Sequence, residues 1–412
     1  MLNLNYMKTP LFISGVLLLF VCSCEPFSHN HTPGSIRNSH LSPRALSRLR
    51  DSSATVSTSD DYYYTTVTFP PDYDWRRDSS YGAVQASVNL YRNDSLLLQV
   101  PTGSIACPDA DLHHFIQGHL YTQYRSAGRT VLARDGQIIL ELDHEAILAG
   151  LLPLDGKLYT LWKSRTGDGF SLLDGDTEMF SRSRGQPLGS LSIDAYTPGG
   201  ALYPDLGKPC FCYRDVNDWY VVRDFRETAV KKPYWTVFDM RSIDGQVCIF
   251  YHGSSSASAC FQYRDSVITF SPPQYKFLKT GYIYDCGDEP FCAGTGYQGW
   301  DTDTPYTIVN FLSGQSVALP GNGISLLSAS PLVLLFHSSD GSTGYYSGST
   351  GIKYLPGSYY QLSPHPGISM GGKLYIALNP TETGSKPGIW KDWEIQELEI
   401  NGFISGIYQS SQ

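Results

Sequence analysis

A short pattern, Gly-x-Leu-Tyr or a near variant, recurs along most of this chain and limits what it can fold into. It occurs at Gly156-Lys157-Leu158-Tyr159, Gly118-His119-Leu120-Tyr121, Gly200-Ala201-Leu202-Tyr203, Gly245-Gln246-Val247-Cys248, Gly281-Tyr282-Ile283-Tyr284 and Gly372-Lys373-Leu374-Tyr375. Successive starts lie 38, 44, 45, 36 and 91 residues apart, and the apolar run Pro331 to Phe336 fills the slot in the last gap. A strand-rich period of about 40–50 residues is the signature of a β-propeller. A second feature follows most copies: a β run, a tight charged turn, and another β run. The turns are Arg92-Asn93-Asp94, Arg134-Asp135-Gly136, Asp174-Gly175-Asp176, Arg223-Asp224, Arg264-Asp265 and Lys391-Asp392. Asp and Gly suit such turns because they tolerate left-handed backbone angles. With an apolar run before each Gly-x-Leu-Tyr, such as Ala146 to Leu152 or Leu188 to Ile193, each unit holds about four strands, the content of one blade.

The ends of the pattern predict how the ring closes. The charged turn at Arg92 comes before any Gly-x-Leu-Tyr, and the chain finishes with Gly402 to Tyr408, an apolar strand with no unit after it. Joined, the two fragments make one blade and leave no open sheet edge. The expectation is an all-β fold, a single propeller over residues 62–412 of eight four-stranded blades. The count falls to seven if a weak unit near Tyr297 to Phe311 or Tyr345 to Leu355 is a loop excursion.

Composition narrows the function classes. Of 412 residues, 41% are hydrophobic, enough for a substantial core, and the 29 Tyr suit half-wet strand positions. A net charge of −9 leaves no basic footprint for a phosphate backbone, so no nucleic-acid partner is expected. No His-Glu-x-x-His, Walker loop or paired Cys-x-x-Cys is present, so neither a metal nor a cofactor is expected.

The first 61 residues carry an address. Met7-Lys8 and the apolar run Leu11 to Val21 have the form of a secretory signal too short to span a bilayer comfortably. Val21-Cys22-Ser23-Cys24 resembles the lipobox of bacterial lipoproteins, which implies a signal peptide over 1–23 and acylation of Cys24. Residues 24–61, polar and aperiodic, read as a lipidated tether, and its His29, His31 and His40 read as solvated side chains. Seven cysteines remain beyond Cys22 and Cys24. Cys248 with Cys260, and Cys286 with Cys292, are spaced for hairpin or short-loop disulfides. Cys210 and Cys212 share one strand face, and Cys107 stands apart.

Chemistry in a propeller sits along the channel or at one rim. His113, His114, Asp194, Asp239, Arg241 and His365 fall on or beside expected inner strands. Converging carboxylates and histidines there would permit acid–base work on a glycan, although a wet channel accepts polar side chains without catalysis. Trp75 with Arg76, and Trp300, are the loop-like aromatic positions suited to stacking on a sugar ring. Ser338 to Thr343 starts like a sialidase Asp-box but lacks its spacing and Trp. Gly367-Ile368-Ser369-Met370-Gly371 matches Gly-x-Ser-x-Gly but precedes a β run, not the helix a nucleophile elbow needs.

Lipobox, polar tether and repeated blades together resemble the β-propeller lipoproteins of gut Bacteroidetes. Asp94-Ser95-Leu96 and Asp265-Ser266-Val267 match the short O-glycosylation sequons of that group. The resemblance implies a lipid-anchored protein of the cell envelope, outer membrane in particular, facing the periplasm or the outside. The leading expectation is a non-catalytic propeller that binds a glycan, peptide or protein partner. A glycan-active hydrolase or lyase and a structural subunit of an envelope complex are the alternatives.

Overall fold

A computed structural model describes residues 61–409, apart from 77–84, 105–112, 127, 166–168, 189–200, 217, 231–236, 253–257, 265, 271–276, 286–289, 298–304, 322, 330, 339–340, 360–364 and 383. The described residues form antiparallel sheets and no helix. Blades 2 to 8 occupy 113–142, 146–182, 186–230, 237–270, 277–320, 323–358 and 367–397. Blade 1 combines 62–104 with the last strand, Gly402–Gln409, which pairs antiparallel with Tyr62–Thr68. The protein is an eight-bladed β-propeller closed by strands from both ends of the chain, as the orphan strand predicts.

In blades 2 to 8 the first strand is innermost, in blade 1 the closing strand Gly402–Gln409 is, and innermost strands of successive blades lie side by side around the channel. Antiparallel order then puts the first-to-second and third-to-fourth connections on one face, here the hairpin face. The second-to-third loops and the passages to the next blade lie on the other, the crossover face. The core is not one mass. Eight apolar clusters fill the eight gaps between neighbouring blades, including that between blades 8 and 1. The inner strands are therefore buried on both faces and tolerate near-continuous apolar runs such as Ala146–Leu154. The outermost strands are covered on fewer sides, and Gln137–Leu142 is largely exposed despite its apolar residues.

Inner strands of neighbouring blades splay like spokes, so backbone groups along the channel lack a ladder partner. Side chains supply one. Gln123 of blade 2 donates to Ala146 O at 3.1 Å and accepts from Leu148 N at 3.0 Å in blade 3. Asn379 of blade 8 does the same for both backbone groups of Ile404 in the closing strand, at 2.9 and 2.8 Å. Asp205 of blade 4 accepts from Ser242 Oγ at 2.7 Å and Gly245 N at 2.9 Å in blade 5, while Arg223 Nε holds it at 2.9 Å.

Gly118, Gly156, Gly245 and Gly372 lie at first-to-second turns of the hairpin face, with positive φ. The other two copies of the pattern are out of register. In blade 6, Gly281 is inside the inner strand Phe277–Tyr284. In blade 4 the turn is Leu206-Gly207, and the inner position is shared by two short pieces, Gln186–Pro187 and Tyr203–Asp205. Gly281 has another reason to be glycine: a Cβ there would overlap the ring of Phe250 in blade 5. Gly281→Ala is expected to lower stability by about 2 kcal/mol through overpacking, read as a lower urea midpoint at unchanged slope.

The expected hairpin disulfide between Cys248 and Cys260 is not formed; both are free and buried. Cys248 stands opposite Tyr263, and Cys260 opposite Tyr251. Positions 248 and 251 differ by an odd number, so alternation turns the two sulfurs to opposite faces of the sheet. Cys292 is also free, buried in the gap between blades 5 and 6; Cys286 lies outside the described residues.

Candidate functional site

The channel residues singled out from sequence divide into two groups, each held by the fold. His113 and His114 open the inner strand of blade 2 on the crossover side, and His365 sits in the passage from blade 7 to blade 8. His114 Nδ1 lies 3.2 Å from His365 Nε2. Between blades 8 and 2 runs the closing strand, and it is gripped from both sides. Ile407 N donates to His365 O at 2.9 Å, Tyr408 OH donates to His113 O at 3.1 Å, and the Tyr408 ring packs 4.7 Å from that of His365. Burial pushes His113 down to about 3 and His114 to about 4, and holds His365 well below the usual imidazole range with help from the other two rings. The three rings are neutral; the closing strand is held by the main-chain carbonyls of His113 and His365 and by the ring contact of His365 with Tyr408, while Nε2 of His113 and of His114 is buried without a hydrogen-bond partner. No cluster of three or more His, Cys, Asp or Glu among the described residues could hold a metal.

Asp239 and Arg241 are two apart on the inner strand of blade 5 and share its face. Asp239 accepts from Met240 N and, in blade 6, from Ile283 N, both at 2.8 Å. It is thus another inter-blade clamp. Burial raises its carboxyl to about 6 against the lowering effect of those two N–H donors and of Arg241. The Arg241 guanidinium stacks over the Tyr203 ring, 4.1 Å from its centroid. Asp194 and Trp300 lie outside the described residues.

Trp75 is not a stacking platform. It is 2% exposed, packed on Phe403 of the closing strand at 5.3 Å between centroids. Its face instead carries Arg76, whose guanidinium carbon lies 4.4 Å from the ring centroid. Arg76 Nη2 donates to Ser385 O at 2.7 Å, reaching the second-to-third loop of blade 8.

That loop walls an open cleft of about 320 Å³ on the crossover face, between blades 7 and 8. Leu378, Pro380 and Ile395 give it apolar surface; Tyr359, Glu382 and Glu397 bring a phenol and two carboxylates. The walls are stitched by a Tyr359–Pro380 bridge and by Thr381 N donating to Ser358 O at 3.1 Å. Lys386, also at the cleft, is paired with Glu399. None of these side chains belongs to a motif. The available signal was the pair of Gly-, Pro- and Ser-rich stretches 356–366 and 379–387, since loops on a rigid scaffold commonly carry binding residues.

No family model matches the sequence, and no curated protein matches it. Among solved structures, the chain is similar to "Dihydro-heme d1 dehydrogenase NirN in complex with DHE", with a TM-score of 0.50 and 12% identity over 84% of this chain and 75% of that one. It is also similar to BBS1N in complex with ARL6DN, with a TM-score of 0.37 and 9% identity over 68% and 91%. Hydrazine synthase of Kuenenia stuttgartiensis gives 0.36 and 12% over 58% and 77%. At these identities the likeness is one of fold.

Proposed function

We propose that this chain is a lipid-anchored protein of the cell envelope, acylated at Cys24, whose propeller binds a glycan in the crossover-face cleft without chemically altering it. The observation that carries the binding site is the cleft itself. Its volume of about 320 Å³ is within the range of small-ligand pockets, and it combines apolar surface with a few polar groups. Sugar C–H faces suit Tyr359 and Pro380, and Glu382 and Glu397 can accept hydrogen bonds from hydroxyls. The reading without turnover is supported by the channel, where the Asp239 carboxylate is occupied by two backbone N–H groups.

The test is a glycan-array and thermal-shift screen of the full chain, with product analysis of every hit and peptides as a parallel set. Tyr359→Ala is expected to weaken a glycan hit about tenfold, equivalent to about 1.4 kcal/mol, and Glu397→Gln to weaken it less. Product from any hit would favour the hydrolase or lyase. Binding confined to peptides or proteins would replace the glycan, and affinity indifferent to both substitutions would move the ligand elsewhere.

A further inference from the structure

Among the described residues, most exposed large apolar side chains belong to a hairpin-face turn or to a strand leaving one; Val216 does not, and Ile395 lines the crossover-face cleft. An arc of them crosses three consecutive blades: Trp393 on blade 8, Leu96 and Leu97 on blade 1, Ile138 and Ile139 on blade 2. Trp393 is the most telling. The turn Asp392-Trp393 has φ angles of 43° and 82°, nearly those of Asp135-Gly136 at 51° and 79°, so a tryptophan stands where the equivalent turn of blade 2 uses glycine. A bulky L-residue is strained in that conformation. Folding gains little in return, since the ring is 65% exposed and only edges against Trp390.

We infer that this arc seats the propeller, hairpin face down, on the surface of a lipid bilayer. The inference rests on the lipid-anchor reading for its setting and on the structure for its geometry. The described chain enters at Asp61, which bonds Arg92 and Asn93 on the hairpin face of blade 1, in the middle of the arc. The 37 residues from Cys24 to Asp60 therefore connect to the propeller at this face. An indole is suited to the headgroup level, and Leu and Ile to the acyl boundary beneath it. Two ion pairs lie within the arc, Arg92 with Asp61 and Lys391 with Asp94, and exposed Arg134 and Lys373 are offset in charge by exposed Asp392 and Glu394. The surface thus requires neither anionic lipid nor a charged partner, and a zwitterionic bilayer suffices.

The experiment reconstitutes the full-length protein in phosphatidylcholine vesicles with brominated or ordinary acyl chains and compares tryptophan emission. Bromine is expected to quench part of the wild-type emission, and Trp393→Phe to lose most of that quenching. Trp393→Gly should lose it equally while melting at a higher temperature, because glycine relieves the turn; the loss then cannot be ascribed to misfolding. Equal quenching in wild type and both variants, or none in protein that floats with the vesicles, would overturn the docking. The mass of the N-terminal peptide reports acylation separately. Without an acyl group the anchor reading fails, and quenching on vesicles added to the same protein still decides the docking.

Discussion

A chain ended after Asn401 is expected to lose its cooperative fold. The missing strand, Gly402–Gln409, is buried along most of its length and supplies Phe403 and Tyr408 to the gap between blades 1 and 2, and Ile404 and Ile407 to that between blades 8 and 1. At about 2 kcal/mol for each buried side chain, these four account for about 8 kcal/mol, within the range of a whole domain's stability. The hydrogen bonds to Asn379, Thr65 and His365 go with them. The truncated chain should bind a hydrophobic dye, lose near-ultraviolet circular dichroism and elute as aggregate. A peptide spanning 402–412, added in trans, should restore part of the signal. A truncated chain that melts like the full one would show that closure does not hold the ring.

Acid should unfold the protein over a window set by its buried histidines. The folded values of His113 and His114, about 3 and about 4, lie below the unfolded value of 6.5 because burial disfavours the charged ring. Their neutral, buried state therefore stabilises the fold fully above pH 6.5, and the contribution is lost as pH falls below it, because only the unfolded chain takes up the protons. Between pH 6.5 and 5 the loss is about 2 kcal/mol for each ring, about 4 in all. His337 and His365, also lowered by burial, add to it. Asp239 acts in the opposite sense. Its folded value is raised to about 6, so stability lost as pH rises is regained on acidification, about 1 kcal/mol by pH 5. The net expectation is a urea midpoint that falls steeply below pH 6.5. His114→Gln should flatten the slope by about one proton, and parallel profiles for variant and wild type would contradict the assignment.

How far the sequence carried the reading differs by level. Blade content, the closing strand and the face of the charged turns all follow from local chemistry, since an Asp–Gly turn and an apolar run are visible within ten residues. The register of blades 4 and 6 was not visible. A glycine under a neighbouring ring, as Gly281 under Phe250, has the same letter as a glycine at positive φ, as Gly156, and only the packing separates them. Distance in sequence hid the rest. Trp75 reads as a loop residue until Phe403, more than three hundred positions away, covers it. His113 and His365 read as channel groups until Tyr408 and Ile407 are seen to bond their main-chain carbonyls. The cleft joins loops of separate blades and has no motif; among the described sequence candidates, Arg76 alone bonds its wall.

We place the bound ligand at the crossover face between blades 7 and 8. Amide hydrogen exchange with and without a saturating hit from the glycan screen tests this placement most directly. Slowed exchange confined to the peptides covering 357–359 and 380–397 is the expected result. Slowing instead at the inner strands of blades 2 and 5, with the cleft peptides unchanged, would contradict the account and return the ligand to the channel.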